Sequence, residues 1–216
     1  WHDIVWINQR AVATRIDPVT SEVLATAQVS VGDLRTVAPD AEWLEGLPDS
    51  DLLSPSGVVP GPDAAWAYLQ VGFFDVVLVE LDRESGATRQ LTLVSEGFSD
   101  FQPGRELIPV EGGVWFLGRS DEGEALFRVE TATRGVAASI SLGVTEIHAP
   151  MAADQGFVYV LATEGPLVVV DAAALAVVEE VAHELFVDNA YALTLTNEAV
   201  WVAVQADAVV EFRSGP

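Results

Sequence analysis

The apolar positions of this chain fall into short runs that recur in a fixed order. Five of these runs contain an aromatic residue, in the sequences DIVWINQ, AAWAYLQ, GGVWFLG, GFVYVLA and EAVWVAV, at Trp6, Trp66, Trp115, Tyr159 and Trp201. Apolar and polar residues alternate within many of the runs, and this period of two predicts β-strands, because successive side chains of a strand point to opposite faces. We expect the aromatic residues to pack in the core.

A hairpin signature follows each of the first four aromatic runs. It consists of an apolar residue, an acid, several small or turn-forming residues, and a second run that is rich in apolar residues. The acids are Asp17, Asp82, Glu130 and Asp171. An Asp at the end of a strand can accept hydrogen bonds from backbone N–H groups two residues further on. We therefore interpret these acids as turn residues, because a catalytic residue is needed once and not in every repeat.

The two signatures together predict an all-β chain that folds as a β-propeller. Short strands that recur with a period of roughly 40 residues are typical of propeller blades. The pattern indicates about five four-stranded blades, with the first and last incomplete, and the chain could also be part of a larger ring. The predicted repeat units are approximately 1–31, 64–96, 106–143, 146–182 and 184–216, in a single domain with an insert at 32–63. The alanine-rich stretch DAAALAVVEEVAHELF falls on a hairpin and an outer strand in this alignment.

Two stretches carry a resemblance to a known family. VWINQRAVATRIDPVTSEVLATAQV and VYVLATEGPLVVVDAAALAVVEEV resemble the repeats of YVTN-type β-propellers. In these repeats an aromatic-Val strand leads into a V-x-x-I-D strand and then a T-G-x-V-x-x-x-I strand. The resemblance covers most of the chain and implies the propeller fold. It leaves the function open, because this superfamily includes binding, surface-exposed, sensory and enzymatic modules.

The insert, defined as residues 32–63, lengthens the connection between the first two repeats. It is rich in Pro, Asp and Gly but also carries Trp43, Leu44 and further leucines. Long loops in compact domains are usually functional or disordered. The apolar residues indicate that this insert packs, either on its own propeller or on a partner. Trp43 and Leu44, together with Asp188, are the predicted ligand-binding or partner-binding residues.

The histidines that follow outer strands are candidates for chemistry. His148 lies beside Glu146, and His183 lies beside Glu184, in connections that lead to the next inner strand. Such connections cluster near the mouth of a propeller's central channel, where His and Glu can act as general base and acid. Glu146, His148 and His183 are therefore weak catalytic candidates. Glu146 and His148 also resemble the Glu-x-His element of virginiamycin B lyase-like propellers, which implies a lyase activity as the alternative function.

A divalent cation is a further possibility at the channel mouth. Glu146 and Asp188 lie at similar distances before the aromatic residues Tyr159 and Trp201. Adjacent blades would then aim both carboxylates at the channel, where a hard cation such as calcium prefers oxygen ligands. We therefore treat Glu146 and Asp188 as weak candidate metal ligands.

The amino-acid composition limits the classes of partner that the chain can bind. The net charge is -23 with a pI near 4.1, all basic residues are Arg, and Cys is absent. This charge argues against nucleic acid and anionic membranes, since both need a basic face. The lack of Cys excludes thiolate metal sites and disulfides. No apolar run approaches the roughly 20 residues of a membrane-spanning helix, so we expect no membrane insertion.

These observations favour a non-enzymatic binding module for a protein partner, a small ligand or a cation. The alternative is a lyase-type or lactonase-type propeller enzyme with a divalent metal. No G-x-S-x-G, phosphate-loop or H-E-x-x-H motif occurs. The chain begins WHDIVWINQR without Met, which indicates that a leader has been removed or that the chain is part of a longer protein. We expect an extracytoplasmic, secreted or surface-attached location.

Overall fold

The described residues are almost entirely β. The structure is a computed structural model that describes residues 12–17, 19–49, 52–53, 57–71, 75–94, 107–120, 123–133, 135–143, 151–154, 156–162, 165–182, 190–196, 199–204 and 208–212. In the first half of the chain the strands are β1 (Val12–Ile16), β2 (Val23–Ser30), β3 (Leu52–Leu53), β4 (Gly57–Pro60), β5 (Ala64–Val71), β6 (Asp75–Asp82) and β7 (Thr88–Val94). In the second half they are β8 (Leu107–Val110), β9 (Gly113–Ser120), β10 (Gly123–Glu130), β11 (Gly135–Ser141), β12 (Met151–Asp154), β13 (Phe157–Leu161), β14 (Leu167–Asp171), β15 (Ala176–Val181), β16 (Ala190–Leu195), β17 (Val200–Val204) and β18 (Ala208–Phe212).

Within the described part of the chain, the strands form five sheets. Their orders are β1-β2-β3, β4-β5-β6-β7, β8-β9-β10-β11, β12-β13-β14-β15 and β16-β17-β18. The three middle sheets have four strands each and the last has three, as the repeat predicted, whereas the first sheet takes its third described strand, β3, from the insert. The aromatic residue of each middle sheet lies on its second strand, and the hairpin acid ends its third strand. Residues 171–182 of the alanine-rich stretch form the β14–β15 hairpin and the outer strand β15, so in this part the repeat pattern outweighed local helix propensity.

The second sheet begins earlier than its aromatic run suggests. Gly57–Pro60 forms β4 and pairs antiparallel with β5, from Gly57 opposite Tyr68 to Pro60 opposite Ala65. This inner strand lies within the range that the sequence assigned to the insert, because a four-residue run beside Gly and Pro carries little strand signal. The insert also supplies β3, whose Leu52 lies opposite Ser30 of β2.

The burial of each strand explains its sequence. Residues 64–69 of β5 are all buried, as are residues 76–81 of β6. The two central strands β5 and β6 are therefore covered on both faces, so polar and apolar residues do not alternate along them. The outer strand β15 is mostly exposed and carries Glu179 and Glu180. This arrangement explains why apolar runs occur in the middle of a repeat and why polar and apolar residues are mixed in its last strand.

The insert begins as a short helix, α1 (Val31–Arg35), followed by a 3-10 turn at Glu42–Leu44. A capping box starts α1: the Ser30 hydroxyl oxygen accepts a hydrogen bond from the Asp33 N–H at 3.1 Å, and the Asp33 carboxylate accepts one from the Ser30 N–H at 2.9 Å. These bonds satisfy backbone groups that a helix start leaves without partners. The sequence analysis did not predict this helix.

The chain divides into two compact units. The first comprises residues 1–104, 109–114 and 128–137, and the second comprises residues 105–108, 115–127 and 138–216. A core cluster in the first unit joins strands β2, β5 and β6 to the insert, and it consists of Ala27, Val29, Val31, Leu34, Ala38, Leu44, Ala65, Ala67, Leu69, Val77, Val79 and Leu81. A smaller cluster in the second unit consists of Leu161, Leu167, Val200 and Val202.

Among the residues that the structure describes, no helix has the length and apolar character needed to cross a membrane.

Candidate functional site

The residues predicted at the channel mouth lie outside the described residues. Glu146, His148, His183 and Asp188 all fall in ranges that the structure does not describe, so their catalytic and metal-binding roles stay predictions. The backbone of Trp43 lies in the 3-10 turn, but its side chain is not described. Within the described ranges, no three His, Cys, Asp or Glu side chains come together as a metal site would require.

Three of the four hairpin acids, Asp17, Asp82 and Asp171, act as turn residues. Asp17 Oδ1 accepts hydrogen bonds from the N–H groups of Val19 at 2.7 Å and Thr20 at 3.2 Å, and these bonds lower the pKa of Asp17. Asp171 accepts bonds from the two equivalent N–H groups, at 2.8 Å each. These hydrogen bonds confirm the turn role that the sequence predicted for Asp17 and Asp171.

The residue four positions after each of these acids has a left-handed backbone. The φ angles are 61° at Ser21, 70° at Gly86 and 53° at Leu175. A side chain in this conformation is strained, and only glycine adopts it without cost. The same turn is therefore built three times around an Asp, with a different residue each time at the left-handed position.

Asp82 carries the strongest of these turns. Its Oδ1 accepts hydrogen bonds from the N–H of Glu84 at 3.0 Å and from the N–H and hydroxyl of Ser85 at 2.7 and 2.8 Å. Its Oδ2 accepts bonds from Arg89 Nε, at 3.0 Å, and from Arg89 Nη2. The Ser85 N–H first, and then the Arg89 guanidinium, hold the pKa of Asp82 far below its ordinary value.

This lowered pKa predicts a pH dependence of stability. The unfolded carboxyl has an ordinary pKa of about 3.9, so below about pH 4 the unfolded chain binds the proton before the folded chain does. The stabilising contribution of Asp82 is therefore complete at neutral pH and decreases as the pH falls below about 4. We expect the stability difference between the wild type and Asp82→Asn, measured by urea denaturation, to be largest at pH 7 and smaller at pH 2.5. A difference that does not change with pH would contradict this role.

Two of the three aromatic residues of the middle sheets are core residues, as the sequence predicted. Trp66 and Trp115 are buried. Tyr159 is half-buried, and burial raises the pKa of its hydroxyl, with smaller contributions from the carboxylates of Asp154 and Glu179. Trp201 is also half-buried, and its Nε1–H donates a hydrogen bond to Thr196 Oγ1 at 3.4 Å. Trp6 lies outside the described residues.

The insert packs against the second sheet through apolar contacts and is held together internally by polar ones. Leu34 and Leu44 are buried in the core cluster of the first unit. Arg35 Nη2 donates hydrogen bonds to the backbone carbonyls of Leu44 at 2.8 Å and Leu47 at 2.7 Å, and Arg35 also forms an ion pair with Asp49. This placement gives Leu44 a packing role, and the partner-binding role predicted for it stays a prediction.

A groove lies where the insert meets the outer strand of the second sheet. We call it the insert groove, and it is lined by Thr36 and Val37 of the insert and by residues 88–93 of β7. Its volume is about 500 Å³, which is within the range of ligand sites in proteins. Because six consecutive residues of one strand line it, the groove runs along the edge of β7.

Glu80 of β6 lies between Val79 and Leu81, which pack with the insert, so its side chain points to the other face of the sheet. This residue lies opposite Gln90 of β7 and is only 3% exposed. Its Oε1 is 3.7 Å from Arg89 Nη1, and its Oε2 has no hydrogen-bond partner among the described residues. Gln90 Nε2 donates a hydrogen bond to Thr92 Oγ1 at 3.0 Å on the same strand. The groove therefore offers hydrogen-bonding side chains from β7, whereas Glu80 lies on the face of the sheet away from the insert.

The sequence analysis missed this groove. Residues 36–37 and 88–93 are far apart in the chain, and no local pattern predicts that they meet. The sequence shows one unusual acid nearby, Glu80, which interrupts the apolar run VVLVELD but does not line the groove. A carboxylate in the middle of a strand that is otherwise apolar on both faces indicates a buried charge, and buried charges need partners.

No known protein-family profile matches the chain, and no curated protein matches it in sequence. Solved structures of β-propeller proteins are similar to it in fold. BamB from Moraxella catarrhalis has a TM-score of 0.55 at 14% identity, over 95% of this chain and 56% of its own. The computationally designed protein Ika8 has a TM-score of 0.59 at 12% identity, over 98% of this chain and 57% of its own. The designed protein Ika4 has a TM-score of 0.54 at 13% identity, over 74% of this chain and 91% of its own.

These comparisons confirm the β-propeller fold that the repeats predicted. Identities of 12% to 14% show the fold alone. The chain spans a little over half the length of the BamB and Ika8 structures. Membership of the YVTN-type family stays a prediction, as does the resemblance to virginiamycin B lyase-like propellers.

Proposed function

We propose that this chain is a non-enzymatic binding module that holds a protein partner or small ligand in the insert groove. The observation that carries the proposal is the groove itself. The insert departs from the repeat, it is anchored through Leu34, Leu44 and Arg35, and it turns the edge of an ordinary blade strand into a concave site. Segments that a rigid scaffold positions in this way are where binding residues concentrate.

The lining of the groove suits recognition of an uncharged or cationic ligand. Thr36, Thr88 and Thr92 supply hydroxyl groups, and Val37 and Leu91 supply apolar surface. The guanidinium of Arg89 is already engaged by Asp82 and Glu80, so it offers little net positive charge to an anion. This balance favours ligands that bring hydrogen bonds and apolar contacts.

The net charge of the whole chain also affects which partners it can bind. A net charge of -23 repels nucleic acid and attracts cationic partners over distances that depend on salt. A divalent cation such as calcium, held by Glu146 and Asp188, and an extracytoplasmic location remain parts of the proposal. The lyase or lactonase alternative depends on Glu146, His148 and His183.

A peptide library tests the groove directly. Random peptides displayed on phage are first selected for binding to the wild-type protein. We expect these peptides to bind the Val37→Trp variant about tenfold or more weakly than the wild type, which corresponds to about 1.4 kcal/mol or more of binding free energy. The reason is that the indole fills the groove beside β7. Affinity would be measured by fluorescence anisotropy with synthetic copies of the selected peptides, after thermal melting has shown that the variant is folded.

The matched control is Val136→Trp, which places the same side chain at an exposed valine on β11, the outer strand of a different sheet. We expect this variant to bind the selected peptides as the wild type does. Equal losses in both variants, or no loss in Val37→Trp, would show that the peptides bind elsewhere and would contradict the proposal.

A further inference from the structure

The side chains of β7 that face the insert groove lie on the face of the sheet that the insert covers. On β6 this face carries Val77, Val79 and Leu81, which pack with the insert in the core cluster. The β7 residues directly opposite them are Leu93, Leu91 and Thr88. Because directly opposite residues place their side chains on the same face, these three side chains point toward the insert and line the groove.

These side chains give the groove a polar end and an apolar length. Thr88 begins β7, and its side chain is exposed. Leu91 and Leu93 follow along the strand and are half-buried, since they pack only in part against the core cluster. Val37, on the insert side of the groove, is also half-buried. A ligand can therefore cover apolar surface along the strand while a hydroxyl group lies at its start.

The described lining of the groove has no uncompensated charge. Its residues include no carboxylate. Its one cation, Arg89, donates hydrogen bonds from Nε to Asp82 Oδ2 at 3.0 Å and from Nη1 to the Asp63 carbonyl at 3.2 Å. Moving a charged group out of water is costly unless a partner of opposite charge compensates it. Neither an anionic nor a cationic ligand group would find such a partner in this lining.

The hydroxyl of Thr36 restricts the polar part of the ligand further. Its Oγ1 donates a hydrogen bond to the Asp33 carbonyl at 2.6 Å. A hydroxyl has one hydrogen to donate and two lone pairs that accept, so Thr36 is left as an acceptor. The Thr88 hydroxyl can accept as well. A ligand group that carries its own hydrogen, such as a hydroxyl, suits both threonines.

We propose that the insert groove binds an uncharged small molecule with an aliphatic body and a hydroxyl group at one end. The hydroxyl bonds to Thr88, and the aliphatic body lies along Leu91 and Leu93. Residues 88–93 span roughly 15 Å in a strand, which leaves room for a medium-length chain. This inference rests on the proposed function and narrows its ligand to one chemical class.

Three probes with eight carbon atoms each test the ligand class. They are 1-octanol, octanoate and octylammonium, titrated into the protein at pH 7 and followed by ligand-detected NMR. High salt screens the net charge of -23, so that the comparison reports on the groove itself. We expect 1-octanol to bind at least tenfold more tightly than either charged probe. Failure of 1-octanol to bind, or equal or tighter binding of a charged probe, would overturn the proposal.

The substitution Thr88→Val tests where the ligand hydroxyl lies. It removes the side-chain hydroxyl at nearly constant shape, and we expect the affinity for 1-octanol to fall about fivefold through the loss of one neutral hydrogen bond. The matched control is Thr194→Val, because Thr194 is exposed on β16 of the last sheet. This control should bind 1-octanol as the wild type does. Equal affinities of Thr88→Val and the wild type would overturn the placement of the hydroxyl.

Failure of this inference is distinguishable from failure of the proposed function. We expect Val37→Trp to weaken 1-octanol at least tenfold and Val136→Trp to leave it unchanged. If 1-octanol does not bind but the library-selected peptides bind and lose affinity for Val37→Trp, this inference fails and the groove is a binding site for a different class of ligand. If neither 1-octanol nor the peptides are sensitive to Val37→Trp, both proposals fail.

Discussion

Replacing Phe116 with alanine is expected to lower the free energy of unfolding by about 3 to 5 kcal/mol. Phe116 of β9 stacks on Phe127 of β10, with ring centroids 5.3 Å apart and an interplanar angle of 11°. Both rings are buried. The substitution removes the apolar contacts of a whole ring and leaves a cavity that the neighbouring strands can close only in part.

Urea denaturation followed by circular dichroism would measure this loss. The control is Val178→Ala, because Val178 lies on the outer strand β15 and is exposed. Substitutions at such surface positions usually change stability by no more than about 0.5 kcal/mol. A loss below about 1 kcal/mol for Phe116→Ala would contradict the packing of β9 on β10, since a filled core position cannot lose a ring at so small a cost.

The repeat made most of the fold predictable. The strands that carry Trp66, Trp115 and Tyr159, and the outer strands after Asp82 and Asp171, lie where the aligned repeats placed them. The reason is physical: each blade must bury both faces of its inner strands and turn back at its hairpin, so the same residue types recur. Where one copy was ambiguous, the other copies determined the interpretation.

The parts that do not repeat were not predictable in this way. Helix α1 depends on a capping box between Ser30 and Asp33, a local signal that the repeat alignment does not contain. The short strand β3 exists because Leu52–Leu53 meets β2, and a two-residue strand has no periodicity of its own. Sequence patterns report local periodicity, and these elements are fixed by contacts with distant residues.

The candidate site also has parts that could be predicted from local sequence and parts that could not. The turn role of Asp17 could be predicted because the donors are two and three residues away. The insert groove could not, because it requires Val37 and Gln90 to meet across a chain separation that no motif records. Glu80 was visible in the sequence as an acid in an apolar strand, but only the structure shows that it lies opposite Gln90.

The last prediction separates the packing role of Leu44 from the partner-binding role that the sequence suggested. Leu44 is 2% exposed in the core cluster of the first unit, whereas Leu47, three residues later in the insert, is 38% exposed. We expect Leu44→Ala to lower the free energy of unfolding by about 2 to 5 kcal/mol, because it removes a buried side chain. Leu47→Ala is the matched control, and we expect a much smaller loss because this side chain is already partly in contact with water.

Peptide binding by the two variants tests the same distinction between packing and partner contact. Leu44 helps to hold the insert that supplies Thr36 and Val37 to the groove. Leu44→Ala should therefore weaken the binding of the library-selected peptides as well as lower stability, and Leu47→Ala should leave both quantities nearly unchanged. Urea denaturation and fluorescence anisotropy measure the two effects on the same samples. If Leu44→Ala left stability unchanged and abolished binding, Leu44 would contact the partner directly, and its placement in the core would be wrong.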